Sequence, residues 1–217
     1  MDGTPDDTLR DALNRQGISL PDAQIELLDR YFQRLSDMNR RLNLTRHTDY
    51  PKFVQRDVVD SLQVAALLQP GQEVLDVGTG GGVPGVILAI VRPDIHVELC
   101  ESVAKRFKAV ERIVHQLQLP VPVHHARAED LLGDLRYDCL VARAVGPLWK
   151  LLQWVQPHWA SIGKLLLIKG PAWVEERREA RARGLLNNLQ LRRLAVYRMP
   201  GTDAEGVVLG IWPTPPG

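Results

Sequence analysis

The stretch EVLDVGTGGGVPG, residues 73–85, constrains the fold of this chain more than any other feature of its sequence. A short apolar, strand-like run ends at Asp76, and five glycines follow within the next nine residues. Glycine lets the backbone turn sharply and lets a ligand approach without meeting a Cβ. The N-terminus of the helix that follows would offer free N–H groups. The stretch therefore predicts a strand, a ligand-binding turn and a helix.

After Gly71 the chain alternates short apolar runs with helical patterns. Such alternation is typical of a parallel sheet covered by helices on both faces, and right-handed crossovers make it doubly wound. The last two apolar runs, LRRLAVYRM and VVLGIW, are joined by a turn too short for a crossover helix, so they should pair antiparallel. We therefore expect an α/β, Rossmann-like fold with a mostly parallel sheet and a terminal antiparallel strand.

The beginning of the chain has a helical pattern instead. Apolar side chains recur at spacings of three and four between Ile25 and Leu42, and a further helix is expected over about 51–68. We expect a helical N-terminal extension over 1–70 and a sheet domain over 71–217, packed as one compact unit.

Composition excludes several classes of protein. Apolar residues make up 45% of the chain and charged residues 24%, as in ordinary globular proteins. No apolar run approaches the roughly 18–20 residues needed to cross a bilayer, and the first residues are acidic where a signal peptide would be basic. The two cysteines lie in apolar runs, which is typical of buried thiols in a reducing compartment. We expect a cytoplasmic protein without membrane contact.

The formal net charge of +1 hides two basic segments. Residues 30–60 carry seven lysines or arginines against four acids, and residues 171–200 carry seven arginines against three glutamates. Basic segments of this kind suit a polyanion such as RNA. The alternative is a solvated helix face, which the charge pattern alone favours.

The glycines fit two classes of ligand. The spacing of Gly78, Gly80 and Gly82 is that of S-adenosylmethionine loops, whereas Gly80, Gly82 and Gly85 match the dinucleotide fingerprint. A purely structural turn is a third alternative. Methyl transfer is favoured over hydride transfer because Asp76 is the last strand residue before the glycines and because no tyrosine has a lysine four residues on.

Acidic side chains after the second and third strands are candidate cofactor ligands. Glu101 ends the second strand, where a carboxylate accepts hydrogen bonds from ribose hydroxyls; an ordinary strand-end acid is the alternative. Glu129, with Asp130 beside it, follows the third strand at the place where methyltransferases hold the adenine edge, and a solvated loop acid is the alternative. The six histidines show no metal-ligand spacing, so we expect no metal.

The ends of the fourth and fifth strands should face the methyl acceptor, and each carries a cation. Arg143 ends the fourth strand and Lys169 the fifth, which favours an anionic or carbonyl-bearing substrate. The motif that amino-group methylation of bases uses, an acid or amide followed by two prolines and an aromatic, is absent. Cys139 lies inside a strand and lacks the preceding proline typical of methylation at pyrimidine C5. A ring nitrogen with its own lone pair needs no nucleophilic residue, so it fits this site.

Several short motifs together resemble one family. They are NLT at 43–45, DS at 60–61, DVGTGGGVPG at 76–85, RPD at 92–94, ES and KR within 101–106, AE at 128–129, RA at 143–144 and KG at 169–170. From about Leu35 onward the sequence is similar to the bacterial small-subunit ribosomal RNA guanine-N7 methyltransferases, also called glucose-inhibited division protein B.

The resemblance implies a class I S-adenosyl-L-methionine-dependent methyltransferase whose acceptor is one guanine of 16S ribosomal RNA. It implies cofactor contacts at Gly78, Val83, Ala128, Glu129 and Arg143. Two positions depart from the family, which often has histidine where Asp57 stands and arginine where Gly206 stands. Each departure removes a cation that could face RNA.

Two other functions stay open on the residues alone. One is an RNA-binding protein of the same fold without activity, and the other is a small-molecule methyltransferase, against which the two basic segments argue. The position of the guanine, the choice between free RNA and a ribosomal particle, and the oligomeric state are likewise open.

Overall fold

A seven-stranded sheet forms the centre of the chain in a computed structural model, which describes residues 8–215. The strands are β1 (Glu73–Val77), β2 (His96–Cys100), β3 (Val123–His124), β4 (Tyr137–Arg143), β5 (Ile162–Lys169), β6 (Leu189–Arg198) and β7 (Glu205–Pro213). Their order across the sheet is β3-β2-β1-β4-β5-β7-β6. The strand order reverses between β1 and β4, and ligands bind at such switch points in open α/β sheets.

The sheet is parallel except at one edge. Strands β1 to β5 pair in parallel with their neighbours. Strand β7 inserts between β5 and β6 and runs antiparallel to both. The expectation of a doubly wound, mostly parallel sheet with a terminal antiparallel strand is confirmed.

Helices cover both faces of the sheet. They are α1 (Leu9–Arg15), α2 (Asp22–Leu42), α3 (Tyr50–Lys52), α4 (Val59–Ala65), α5 (Gly85–Val91), α6 (Ala104–Leu117), α7 (Ala128–Leu132), α8 (Leu148–Val155) and α9 (Trp173–Ala182). A π-helical segment, Phe53–Val58, joins α3 to α4, and a 3-10 segment, Gln156–Ser161, follows α8. Within residues 8–215, none of these helices has the length and apolar character that crossing a membrane requires.

Alternate strand residues supply two separate cores. Val74 and Val141 pack into a core with the N-terminal helices, α5 and α6. Leu75 and Leu140 point to the other face and pack with α7, α8 and α9. This period of two is expected of a sheet that is buried on both faces. The fully buried Tyr31 of α2 belongs to the first of these cores, so the N-terminal helices and the sheet share apolar contacts.

The helix expected over about 51–68 is divided in the structure. The π-helical segment interrupts it, and α4 resumes the regular helix at Val59. Hydrophobic periodicity indicated a helix but could not reveal a locally wider turn, because a single wide turn barely changes the apolar pattern. Wide turns of this kind are frequent at functional sites. This one carries Arg56 and Asp57, which lie near the carboxyl edge of the sheet.

Candidate functional site

The loop between β1 and α5, residues 78–84, is here called the glycine loop. Asp76, in β1 just before the loop, fixes the shape of the loop. Its Oδ2 accepts hydrogen bonds from Thr79 Oγ1 at 2.6 Å and from the Gly85 amide at 2.8 Å. Burial raises the pKa of Asp76 to about 6, although these two hydrogen bonds act to lower it. Asp76 thus serves the loop itself.

The glycines of this loop, and Gly85 at the start of α5, have different reasons to be glycine. A Cβ on Gly82 would lie 2.6 Å from Val86 Cγ2, and one on Gly85 would lie 2.2 Å from Leu99 Cδ2, so both are required by helix packing. Gly78 has a φ of +65°, and its Cβ would lie 3.1 Å from Val145 Cγ2. Gly78 alone of these three also lines a pocket.

That pocket, here called the glycine-loop pocket, has a volume of about 400 Å³ at the carboxyl ends of β1, β2 and β4. Four of the side chains or backbone positions predicted from the sequence line it: Gly78, Glu101, Ala128 and Glu129. The other predicted cofactor residues do not form the wall of this pocket: Asp76, Gly80, Gly82 and Val83 belong to the glycine loop or to the strand before it, and Arg143 lines a neighbouring pocket. The structure therefore separates residues that face the pocket from residues that shape it.

Glu101 is held in one position although it lies at the end of a strand. Its two carboxylate oxygens accept hydrogen bonds from the Gly80 amide at 3.0 Å and the Val103 amide at 2.8 Å. The side chain is almost wholly buried, with 3% of the residue exposed. Each carboxylate oxygen has a further lone pair, so Glu101 can still accept hydrogen bonds from a ligand in the pocket.

Several further side chains line the glycine-loop pocket without having been predicted as site residues, among them Arg106, Arg127, Lys150 and Trp154. Lys150 Nζ lies 5.3 Å from the centroid of the Trp154 ring. These two residues are one helical turn apart on α8, directly after β4. A lysine and a tryptophan four residues apart, on the helix after the strand predicted to face the acceptor, could have indicated from the sequence that both side chains reach the site.

A second pocket, here called the Arg143 pocket, has a volume of about 510 Å³ and adjoins the first at Ala144, which lines both. Both predicted cations, Arg143 and Lys169, line it. Arg56, His47 and Tyr197 also line it, so the N-terminal helices and β6 contribute to its wall. The expectation that the ends of β4 and β5 bring two cations to one place agrees with this geometry.

Arg143 is tied to the N-terminal helices by two ion pairs. Its guanidinium lies 2.6 Å from Asp57 Oδ1 and 3.3 Å from Asp60 Oδ2. Burial acts to lower the pKa of Arg143, but the two carboxylates outweigh it and raise the pKa above its ordinary value. Arg143 is consequently a charged bridge between β4 and the π-helical segment.

The two positions that depart from the family pattern, Asp57 and Gly206, both contact residues of the Arg143 pocket. Asp57 is fully buried against Arg143, and its Oδ1 lies 2.8 Å from His47 Nδ1, so an imidazole is present beside this position. A Cβ on Gly206 would lie 2.5 Å from the Tyr197 ring, which crosses over the glycine. That arrangement lets the Tyr197 hydroxyl donate to Asp60 at 2.6 Å.

Lys169 is also engaged by its neighbours. Its Nζ donates to the Gly146 carbonyl oxygen at 2.6 Å and to Glu176 Oε2 at 2.7 Å, and the same Glu176 oxygen accepts from the Leu148 amide at 2.9 Å. Together these bonds clamp the loop from Ala144 to Pro147, in which Ala144 has a φ of +56°. Lys169 therefore holds the loop that separates the two pockets.

Neither cysteine is a nucleophile in this structure. Burial raises the pKa of both Cys100 and Cys139 to about 12, so both are thiols at neutral pH. Among residues 8–215 no cluster of three or more His, Cys, Asp or Glu side chains could hold a metal ion. In the described part of the chain, the side chains of the two pockets that could act on a ligand are therefore carboxylates, cations and hydrogen-bonding groups.

Comparison with known proteins gives one consistent family. A family profile described as rRNA small subunit methyltransferase G (GidB) matches residues 24–200. The protein named Ribosomal RNA small subunit methyltransferase G from Rhodopirellula baltica is 52% identical over 200 residues, which are 92% of this chain and 87% of that protein. The protein of the same name from Desulfitobacterium hafniense is 35% identical over 196 residues, 88% of this chain and 81% of that protein.

Solved structures share the fold at low sequence identity. Precorrin-6y C5,15-methyltransferase from Geobacter metallireducens has a TM-score of 0.52 and 13% identity, covering 71% of this chain and 87% of its own. The Pyrococcus abyssi tRNA (uracil-54, C5)-methyltransferase, solved with S-adenosyl-L-homocysteine, has a TM-score of 0.54 and 17% identity, covering 77% and 40%. These similarities establish a methyltransferase-type fold.

Proposed function

The chain belongs to the rRNA small subunit methyltransferase G family, and on that premise we propose that it transfers a methyl group from S-adenosyl-L-methionine to N7 of one guanine in 16S ribosomal RNA. It acts in the cytoplasm, on free 16S RNA or on a small-subunit particle. Family membership supports the reaction, and the arrangement of the two pockets supports the site.

The observation that carries the proposal is that the two pockets meet at Ala144. A methyl-transfer enzyme must hold donor and acceptor in neighbouring cavities with an opening between them. The glycine-loop pocket lies at the switch point of the sheet, where nucleotides bind in this class of fold. The Arg143 pocket lies beside it and is bordered by the basic segments 30–60 and 171–200.

The glycine-loop pocket fits S-adenosyl-L-methionine by its shape and its acids. Gly78 has no Cβ to fill the space next to Val145. Glu101 is held by two backbone amides and keeps lone pairs that ribose hydroxyls would use, and Glu129, which lines the same pocket, would accept a hydrogen bond from the amino group of adenine. Val103, which is 46% exposed, offers an apolar surface to a base. When bound, the cofactor supplies a methyl group carried on a positively charged sulfur.

The acceptor side calls for positioning and not for a general base. Guanine N7 carries an exposed lone pair at neutral pH, so no proton has to be removed before it accepts a methyl group. The carboxylates of the Arg143 pocket, Asp60 and Glu176, already hold Arg143, Tyr197 and Lys169. Arg143 and Lys169 thus keep the walls of the site in place. In-line alignment of N7 with the methyl group inside such a site can lower the barrier by up to about 7–11 kcal/mol.

The test is methyl transfer from labelled S-adenosyl-L-methionine to purified 16S RNA and to small-subunit particles, followed by mass mapping of the RNA. Label at N7 of a single guanine supports the proposal. A protein that binds RNA and cofactor but transfers no label to either substrate would be the inactive RNA-binding alternative. Transfer to a small molecule and not to RNA would also overturn the proposal.

A further inference from the structure

The cations of the Arg143 pocket are not equivalent. Arg143 is paired with Asp57 and Asp60, and Lys169 is paired with Glu176. Both charges are therefore compensated by carboxylates from the chain itself. A guanidinium or ammonium group that is already paired gains little from contact with an additional anion, because its partner would have to give way.

Arg56 differs from these two residues. It lines the same pocket and is half-buried, and its Nε is buried without a hydrogen-bond partner among residues 8–215. It forms no ion pair with a carboxylate in that part of the chain. A buried donor that lacks a partner costs free energy unless a ligand supplies an acceptor.

Arg56 and Tyr197 share the wall of the Arg143 pocket. Burial and Asp60 raise the pKa of Tyr197, while Arg143 and Arg56 act to lower it. Arg56 belongs to the π-helical segment, whose wide turn sets its direction relative to the regular helices on either side.

We infer that Arg56 binds a backbone phosphate of the RNA next to the methylated nucleotide. This inference rests on the proposed function and names one contact of that same site. A guanidinium has a planar fork of donors that matches two oxygens of a phosphate. The usual contact of arginine with guanine uses O6 and N7 together, and it is unsuitable here because N7 must keep its lone pair free.

Neither carboxylate next to Arg56 forms an ion pair with it among residues 8–215. Both oxygens of Asp60 are engaged, by Tyr197 at 2.6 Å and by Arg143 at 3.3 Å. Asp57 is fully buried; its Oδ1 lies 2.6 Å from Arg143, and its Oδ2 is buried without a hydrogen-bond partner in the described chain. An RNA phosphate would supply the acceptor that Arg56 lacks.

The experiment measures the affinity of each variant for the RNA substrate at several salt concentrations. Arg56→Gln should bind RNA about 10- to 100-fold more weakly, and the slope of log affinity against log salt should fall by about one. Arg56→Lys should keep the slope. The matched control is Arg136→Gln, which should change neither quantity. Arg136 is exposed and lies just before β4, at the amino ends of the parallel strands and away from both pockets.

A second measurement uses the wild-type protein and does not depend on the folding of a variant. A series of short RNAs would contain the unmethylated target guanosine. Each RNA in the series would carry one uncharged methylphosphonate in place of one phosphate, at a different position. One position next to that guanosine should reproduce, in the wild type, the loss in affinity and in slope. The same methylphosphonate should have no further effect in Arg56→Gln, which has already lost that contact.

The outcomes separate this inference from the proposed function. An unchanged salt slope in a folded Arg56→Gln protein, or no sensitive phosphate in the wild-type series, would overturn the role of Arg56 even if RNA is methylated at N7. A wild-type protein that neither binds nor methylates RNA would overturn the proposed function, and the inference with it. The affinity of Arg56→Gln for S-adenosyl-L-methionine is the control for folding. An affinity equal to that of the wild type shows that the variant is folded.

Discussion

The guanidinium of Arg143 lies 2.6 Å from Asp57, and this contact joins the end of β4 to the N-terminal helices. The two residues are far apart in the sequence, and Asp57 has no exposed surface. Arg143 therefore forms a buried ion pair and also lines a pocket. Substitution of Arg143 should therefore lower the stability of the fold, whatever effect it also has on methyl transfer.

Arg143→Ala should lower the free energy of unfolding by about 3–5 kcal/mol, because it leaves buried Asp57 without its cation. The matched control is Arg178→Ala on α9. Arg178 forms an ion pair with Glu175, and both of these side chains are exposed to solvent. Loss of that pair should change stability by no more than about 1 kcal/mol. Urea denaturation of the two variants makes the comparison, and equal effects would mean that the Arg143–Asp57 pair has no structural importance.

Gly78→Ala should weaken binding of S-adenosyl-L-methionine. The new Cβ would approach Val145 Cγ2 to 3.1 Å at a φ of +65°, so either the glycine loop or Val145 must shift, and Gly78 and Val145 both line the glycine-loop pocket. Lost or displaced contacts of this kind cost about 1–3 kcal/mol in affinity. Isothermal titration calorimetry measures the loss, and Val145→Ala in the same protein should recover part of it by removing the close contact.

Gly71→Ala is the matched control for the glycine loop. Gly71 also has a positive φ, +75°, but nothing lies within 4 Å of its Cβ position. It should therefore lose some stability from backbone strain, about 1 kcal/mol, without a change in cofactor affinity. If both alanine variants bound the cofactor equally well, Gly78 would have only a conformational role.

The sequence predicted the parts of this site that depend on local pattern. Apolar runs and glycine spacing located β1 and the glycine loop, and parallel strand ends brought Arg143 and Lys169 to one edge. What the sequence did not reveal were the partners of these cations. Asp57 and Glu176 reach them only through the docking of helices on the sheet, and no periodicity within a single segment reports such long-range contacts.

The stability of the protein should carry a pH dependence that originates at Asp76. Its pKa is about 6 in the folded chain against an ordinary value of 3.8, so the folded state holds this proton more tightly than the unfolded state. The contribution of Asp76 is fully present below about pH 4 and is lost as the pH rises through about 6. The full loss is of the order of 3 kcal/mol.

Asp76→Asn isolates this contribution, because asparagine does not titrate. The unfolding free energy of the variant minus that of the wild type should increase between about pH 4 and about pH 7.5, while any constant packing cost of the amide cancels. Chemical denaturation at several pH values gives both quantities. A difference that does not change with pH would show that Asp76 is ionised in the folded state throughout this range.

Glu176→Ala should slow methyl transfer about tenfold or more, because it releases both Lys169 and the Leu148 amide and so loosens the loop beside Ala144. Glu176→Gln keeps an acceptor for Leu148 and should retain part of the rate. The matched control is Glu175→Ala, one residue earlier on α9, whose only ion-pair partner in the described chain is the exposed Arg178. Turnover measured at saturating RNA and cofactor gives the comparison, and similar rates for the two alanine variants would remove Glu176 from the positioning of the loop.

The rate of methyl transfer itself should be nearly independent of pH. A guanine N7 acceptor needs no deprotonation, and the two cysteines, with pKa values of about 12, cannot supply a thiolate. Single-turnover rates with saturating RNA and cofactor should therefore stay flat from about pH 6.5 to about pH 8.5, since no general base has to lose a proton. At the lower limit Asp76, with a pKa of about 6, is still partly protonated, so the upper part of the window decides the test. A rate that rises about tenfold for each pH unit across this window would require a base in the Arg143 pocket, and transfer to N7 would then have to be replaced by transfer to a group that must first lose a proton.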